Sequence, residues 1–303
     1  MNRSLAVALV LLLGLPTTAR ADEAPPPTMA DVLEASTPAD WRRPAPEDTL
    51  YLELATGRVV IELAAAFAPK HVAQIRALAN AKYYDGLAIV RVQENYVVQW
   101  GDPDAADAEK RRSTGDQPRT LAAEFARPIE GAPAFARLAD GDVYAPEVGH
   151  SQGFPVARDP KQGTTWLAHC YGMLGAGRDD AADSGGGTEL YVVIGHAPRH
   201  LDRNVTLVGR VLTGMEHLST LPRGSAAMGF HEKAEQRVPI RAIRLANEVP
   251  AAERSALEVF RTDTAAFQRL VESRRNRREP WFLDPTGRIE LCNVPVPVRA
   301  AKD

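Results

Sequence analysis

The stretch LYLELATGRVVIEL, residues 50–63, constrains the fold more than any other part of the chain. Apolar residues alternate at Leu50, Leu52 and Leu54, the chain turns through Ala55-Thr56-Gly57, and alternation resumes at Val59, Ile61 and Leu63. A period of two on either side of a glycine-bearing loop is a β-hairpin with one face turned to a core. Two further strands are expected around Arg91: Ile89, Val90 and Val92 surround it, and Tyr96, Val97 and Val98 follow the polar turn Gln93-Glu94-Asn95. Strand patterns recur at 164–174, 188–195, 205–212 and 238–246. Helical spacing is confined to two places in this span. Pro69 opens one helix with Val72, Ile75, Leu78 and Ala79 on its apolar face, and a second begins near Gly214. Many short strands with two helices predict a closed β-barrel or a sandwich.

The flanks read differently. MNRSLAVALVLLLGLPTTARA has an early arginine, an apolar run of 11 residues from Leu5 to Leu15, and Ala19-Arg20-Ala21. This is the pattern of a secretory signal cleaved after Ala21, and the run is far short of the ~20 residues a membrane span requires. The expected product is exported and periplasmic, without a membrane span. Residues 22–48 are proline-rich with no apolar period, and are expected to form a poorly ordered tether. Residues 104–162 read as loops and an insertion. Beyond residue 248, Leu257, Val259 and Phe260, then Phe267, Leu270 and Val271, suggest two helical faces, and FLDPTGRIEL a small hairpin.

Composition narrows the partners. The formal charge of −3 becomes −5 once Arg3 and Arg20 leave with the signal, which argues against nucleic acid. Two cysteines, Cys170 and Cys292, either pair or remain buried thiols. His196 and His200 are separated by Pro198, so they do not form a helical metal pair. Asp102, Asp104, Asp107 and Glu109 lack the glycine of a calcium loop. SGGGTE is followed by a strand and no lysine, unlike a phosphate cradle. Ser151 and Ser184 have no nucleophile-elbow context. RRNRREP, residues 274–280, reads as the cationic end of a helix. No metal or cofactor is expected.

Taken in order, the motifs resemble those of the cyclophilin family of peptidyl-prolyl isomerases. The family pattern F-H-R-V, three residues, F-M-x-Q-G-G-D is similar to Ile89-Val90-Arg91-Val92 and Tyr96-Val97-Val98-Gln99-Trp100-Gly101-Asp102. GMLGAGRDD resembles its M-A-N-A-G loop, GTELYVVIG its G-S-Q-F-F-I-T strand, and HLDRNVTLVGRVLTGME its W-L-D-G segment. The likeness spans roughly residues 50–246. It implies a mainly β fold, a closed antiparallel barrel of about eight strands capped by two α-helices, with a C-terminal extension at 248–303. It implies a monomeric prolyl isomerase acting on Pro-containing polypeptides. In that reading Arg91, Tyr96 and Gln99 are catalytic, and Val97, Tyr191 and Leu201 line the proline pocket. The backbone of Gly175 and Ala176 aligns the peptide.

The departures fall in the same pocket. Tyr96 and Tyr191 replace phenylalanines, Val97 a methionine, Glu189 a glutamine, His200 a tryptophan and Val205 a histidine. Two tyrosine hydroxyls are expected to make the pocket more polar, and Glu189 to pair with Arg91 and blunt its field. Two functions stay open on this reading: an isomerase for exported proteins, or a catalytically weak chaperone or scaffold that binds Pro-containing chains.

Overall fold

The computed structural model describes residues 27–302. The expected signal segment therefore lies outside the described residues. The main sheet is antiparallel, with nine strand segments in the order Val238–Pro239, Ala88–Val92, Val97–Gly101, Leu190–Val193, Met173–Ala176, Leu207–Thr213, Arg58–Leu63, Thr49–Glu53 and Ala242–Leu245. Its first and last members are halves of one bent stretch. Between them, Ile240 N donates to Leu87 O at 2.8 Å and Arg241 N to Glu53 O at 2.9 Å. Both edges of the sheet are thus taken by the same segment. Counted once, that segment makes an eight-stranded closed barrel with no open edge.

The expected hairpin fills the barrel with Leu50, Leu52, Val59 and Ile61, packed among Ile89, Val98 and Trp100. The helix Pro69–Asn80 closes one end and buries Val72, Ile75 and Leu78 in that core. Pro69 starts it because a first-turn residue needs no backbone N–H partner. The second expected helix is a single turn, Glu216–Ser219, with Leu218 buried.

The hairpin's outer face is apolar as well. Tyr51 and Val60 are 1% and 2% exposed, and they pack with Leu212 and Val259. Their cover is a three-stranded sheet of Trp41–Arg42, Leu257–Phe260 and Val298–Ala300. Residues 28–48, expected as a tether, are therefore folded: Thr28 and Asp31 form a capping box on the helix Met29–Glu34, and Trp41 stacks edge-on against Phe260 at 4.8 Å. Leu257–Phe260 is a strand rather than a helix, because its pairing partners are the two ends of the chain. Ala265–Arg275 is the helix expected from Phe267, Leu270 and Val271. The expected hairpin at 282–291 has no strands.

The insertion also differs from the loops expected of it. A five-stranded antiparallel sheet runs Arg127–Pro128, Thr164–Leu167, Phe154–Asp159, Glu147–Ser151 and Ala136–Leu138. Its Val148, Val156 and Trp166 share a second core with Phe260, Phe267 and Leu270. The insertion and the described flanks, 28–48 and 248–302, thus build one layer beside the barrel.

Cys170 and Cys292 are joined, with Cα atoms 5.1 Å apart across 122 residues of sequence. A loop of that length contributes about 4–5 kcal/mol in the chain-entropy picture. Thiol titration of the denatured protein is expected to find no free thiol before reduction and two after it. Replacing both cysteines with serine should lower Tm by about 10 °C. A shift of less than about 2 °C would mean that noncovalent packing alone secures the extension.

Candidate active site

Strict alternation from Ile89 would turn Arg91 into the barrel. The pairing instead steps from Ile89 opposite Trp100 to Arg91 opposite Gln99, leaving Val90 as an extra residue. This bulge moves Arg91 to the outer face, while Val92, opposite Val98, returns to the core. Tyr191 stands across from Gln99, and Gly175 across from Tyr191. Arg91, Gln99, Tyr191 and Gly175 thus form one row across four neighbouring strands.

Arg91 is 9% exposed and well engaged. Its Nε donates to Met228 O at 2.7 Å, Nη1 to Gln99 Oε1 at 3.2 Å, and Nη2 to Gln93 Oε1. The guanidinium carbon lies 5.4 Å from the ring centroids of both Tyr96 and Phe230. Burial lowers its pKa from the ordinary arginine value, yet a guanidinium stays charged. Residues 224–231 form a strap over it. Gly224 N donates to Val92 O at 3.0 Å and His231 N to Val90 O at 2.9 Å, so the bulged residue's carbonyl is used to anchor the strap. At Gly229, with φ +78°, a Cβ would fall 2.6 Å from Gln93 Cα, so the strap's close approach requires glycine.

The expected Arg91–Glu189 ion pair is not formed. Gln99 stands between the two, with its Nε2 donating to Glu189 Oε2 at 2.8 Å. A guanidinium only donates and a carboxylate only accepts, so one amide orientation satisfies both neighbours. Burial raises the Glu189 pKa above the ordinary carboxylate value, with Asp179 and Asp102 adding to the effect and the Gln99 hydrogen bond opposing it.

These groups border a cleft of about 760 Å³. Of the residues expected at the site, Arg91, Tyr96, Val97, Gln99, Glu189, Tyr191, Leu201 and Val205 all line it. Val97 and Tyr191, backed by Val193 and packed with Tyr96 and Val205, make its apolar floor. His200 is exposed and does not line the cleft. Gly175 and Ala176 lie back within their strand, and Gly177 borders the cleft instead, its N donating to Glu189 O at 2.9 Å. The Tyr191 hydroxyl does not add polarity to the cleft, because it turns into the wall, 2.9 Å from His169 Nε2. Gln93, Met228 and Phe230, which also touch the guanidinium, were not among the residues expected at the site. The only local signal was a short segment bracketed by Gly224 and Gly229. Arg111, Arg119 and Arg178 line the same cleft, as do Asp179 and Asp180. Among the described residues, no group of three or more His, Cys, Asp or Glu side chains is placed to hold a metal ion.

The family model for cyclophilin type peptidyl-prolyl cis-trans isomerases matches residues 49–245, most of the chain. The chain belongs to that family. It is 27% identical over 182 residues to a probable peptidyl-prolyl cis-trans isomerase of Brucella suis biovar 1, covering 60% of this chain and 75% of that one. A probable peptidyl-prolyl cis-trans isomerase of Brucella abortus is 26% identical over the same length and shares. The fold is also that of the cyclophilin AquaCyp293 from Hirschia baltica, with a TM-score of 0.68 at 23% identity. That likeness covers 91% of this chain and 99% of the other, so it takes in the layer beside the barrel as well as the barrel.

The Glu189 shift has a consequence for stability. Its folded-state pKa lies above the ordinary 4.5, so ionising the carboxyl opposes folding. The contribution is fully favourable below pH 4.5 and is lost as pH rises through the folded-state pKa. Glu189→Gln is therefore expected to melt higher than the wild type at pH 7, with the gap closing as pH falls toward 4.5. Thermal melts of both proteins across this range check it, and a gap that stays constant with pH would contradict it.

Proposed function

We propose that this chain is an exported prolyl isomerase that turns Xaa-Pro bonds in folding polypeptides. The observation that carries the reading is the row of Arg91, Gln99 and Tyr191 along an apolar-floored cleft. Amide resonance holds the bond behind a barrier of about 18–20 kcal/mol. As the bond twists, the proline nitrogen becomes pyramidal and its lone pair can accept a hydrogen bond. A donor that meets this lone pair binds the twisted state better than the planar one. Arg91 has five N–H donors, and its three hydrogen bonds leave two for the substrate. Gln99 likewise has a second amide N–H, suited to a backbone carbonyl. Val97, Tyr191, Leu201 and Val205 would grip the proline ring, and the backbone at Gly177 would align the chain.

A weaker, binding-only role is favoured by one observation: Gln99 already donates to Glu189. A charge-assisted hydrogen bond exceeds a neutral one by roughly 1 kcal/mol, and a substrate carbonyl must compete with it. The disulfide supports export, because oxidising compartments preserve such bonds. So does the basic, apolar, A-x-A leader. No helix among the described residues is long and apolar enough to cross a membrane. N-terminal sequencing of protein from a periplasmic fraction should begin at Asp22, and a cytoplasmic chain starting at Met1 would overturn the export reading.

In a protease-free isomerisation assay, Arg91→Ala is expected to lower kcat/KM by about 10²-fold or more with the barrel still folded by circular dichroism. An unchanged kcat/KM would remove Arg91 from its role. Glu189→Gln is expected to raise kcat/KM about fivefold by releasing Gln99. If it does not, the competition from Glu189 has no bearing on turnover.

A further inference from the structure

Tyr191 is fixed at both ends. Its backbone pairs with Gln99 and Gly175, and its ring crosses over Gly175, where a Cβ would fall 2.2–2.5 Å from the ring and hydroxyl atoms. Only glycine leaves room for the ring to lie there. One part of the side chain faces the cleft, while the hydroxyl points into the wall toward His169 Nε2, 2.9 Å away.

His169 is fully buried and does not reach the cleft. Its Nδ1 lies 2.9 Å from Asp202 Oδ1, which also accepts from the His169 backbone N at 2.9 Å. Asp202 Oδ2 accepts from Arg199 Nε at 2.6 Å, and the Arg199 fork donates to both oxygens of Asp142 at 3.0 Å. The carboxylate can only accept, so Nδ1 carries the proton, Nε2 is the acceptor, and the Tyr191 hydroxyl donates. Burial holds His169 below the ordinary histidine range despite Asp202, which keeps it neutral. For Asp202, burial opposes ionisation, but the bonds from His169 and Arg199 prevail and hold it below the ordinary carboxylate range. The chain of contacts therefore runs from the barrel wall into the insertion, and every side chain in it is at most 6% exposed.

A phenylalanine ring at this position would be placed by packing alone. We propose that His169 is a positioning residue for prolyl isomerisation: it holds Tyr191 by the hydroxyl so that the ring forms a fixed wall of the proline subsite. The Asp202–Arg199–Asp142 chain in turn fixes His169. The inference rests on the cleft being the isomerase site. A wall touches the proline ring in both the ground state and the transition state, so its loss should appear in KM more than in kcat.

The test is a double-mutant cycle with His169→Asn and Tyr191→Phe. Asparagine can keep the bond to Asp202 but has no atom at the Nε2 position. His169→Asn is expected to lower kcat/KM about tenfold, mostly through KM, in the wild-type background. In the Tyr191→Phe background, where no hydroxyl remains to be held, it should cost less than twofold. An equal cost in both backgrounds would reduce His169 to a general structural role, and no cost in either would remove it altogether. Should His169→Asn fail to fold, ¹⁵N spectra of the wild type and Tyr191→Phe decide instead. The His169 Nε2 resonance must move when the hydroxyl is deleted, and an unmoved resonance overturns the proposal. If the wild type binds an Ala-Pro peptide without turning it over, the isomerase reading fails. The same cycle read in peptide Kd then tests the positioning role by itself.

Discussion

The barrel is held shut by one bent segment. Residues 238–245 pair with Ala88–Val92 on one side and Thr49–Glu53 on the other, so neither edge is free to slide. Closure fixes register all the way round, and register fixes which side chains face out. Gln99, Tyr191 and Gly175 line up on the outside because the pairings between their three strands run without a shift. Arg91 joins them only because Val90 is an extra residue, and the carbonyl that the bulge leaves over is taken by His231 N in the strap. One local irregularity therefore places the cation on the outer face and anchors the strap that covers it.

Much of this was legible in the sequence. The 50–63 hairpin and the Pro69 helix announced themselves by period, and the spacing of Arg91 and Gln99 carried the family pattern. What stayed hidden has physical causes. Leu257, Val259 and Phe260 suit either a helix or a strand, and pairing with Trp41 and Val298, both distant in sequence, decides between them. Four consecutive residues, Val148 to Ser151, are buried, so no clean alternation marks Glu147–Ser151. Phe230 sits on an irregular strap, where neither period applies.

The pocket substitutions also look different in three dimensions than in a list of residue types. Glu189 touches Gln99 rather than Arg91, so its influence on the cation passes through an amide that can be oriented in one way only. Tyr191 retains an apolar ring at the cleft while spending its hydroxyl on a buried histidine. A change from phenylalanine to tyrosine thus leaves the lining apolar and links it to a charged network behind.

The family match ends at residue 245, yet the outer face of the barrel does not end there energetically. Tyr51, Val60 and Leu212 form an apolar strip that Val259 and its neighbouring strands cover. The recognisable segment and the buried core are therefore different lengths of chain. Excised at the boundaries of the match, the barrel would carry a sticky band of aliphatic and aromatic surface, an invitation to self-association. In evolutionary terms, moving this barrel into a new setting without its flanks would require polar residues along that strip. As the sequence stands, the strip and its cover belong together.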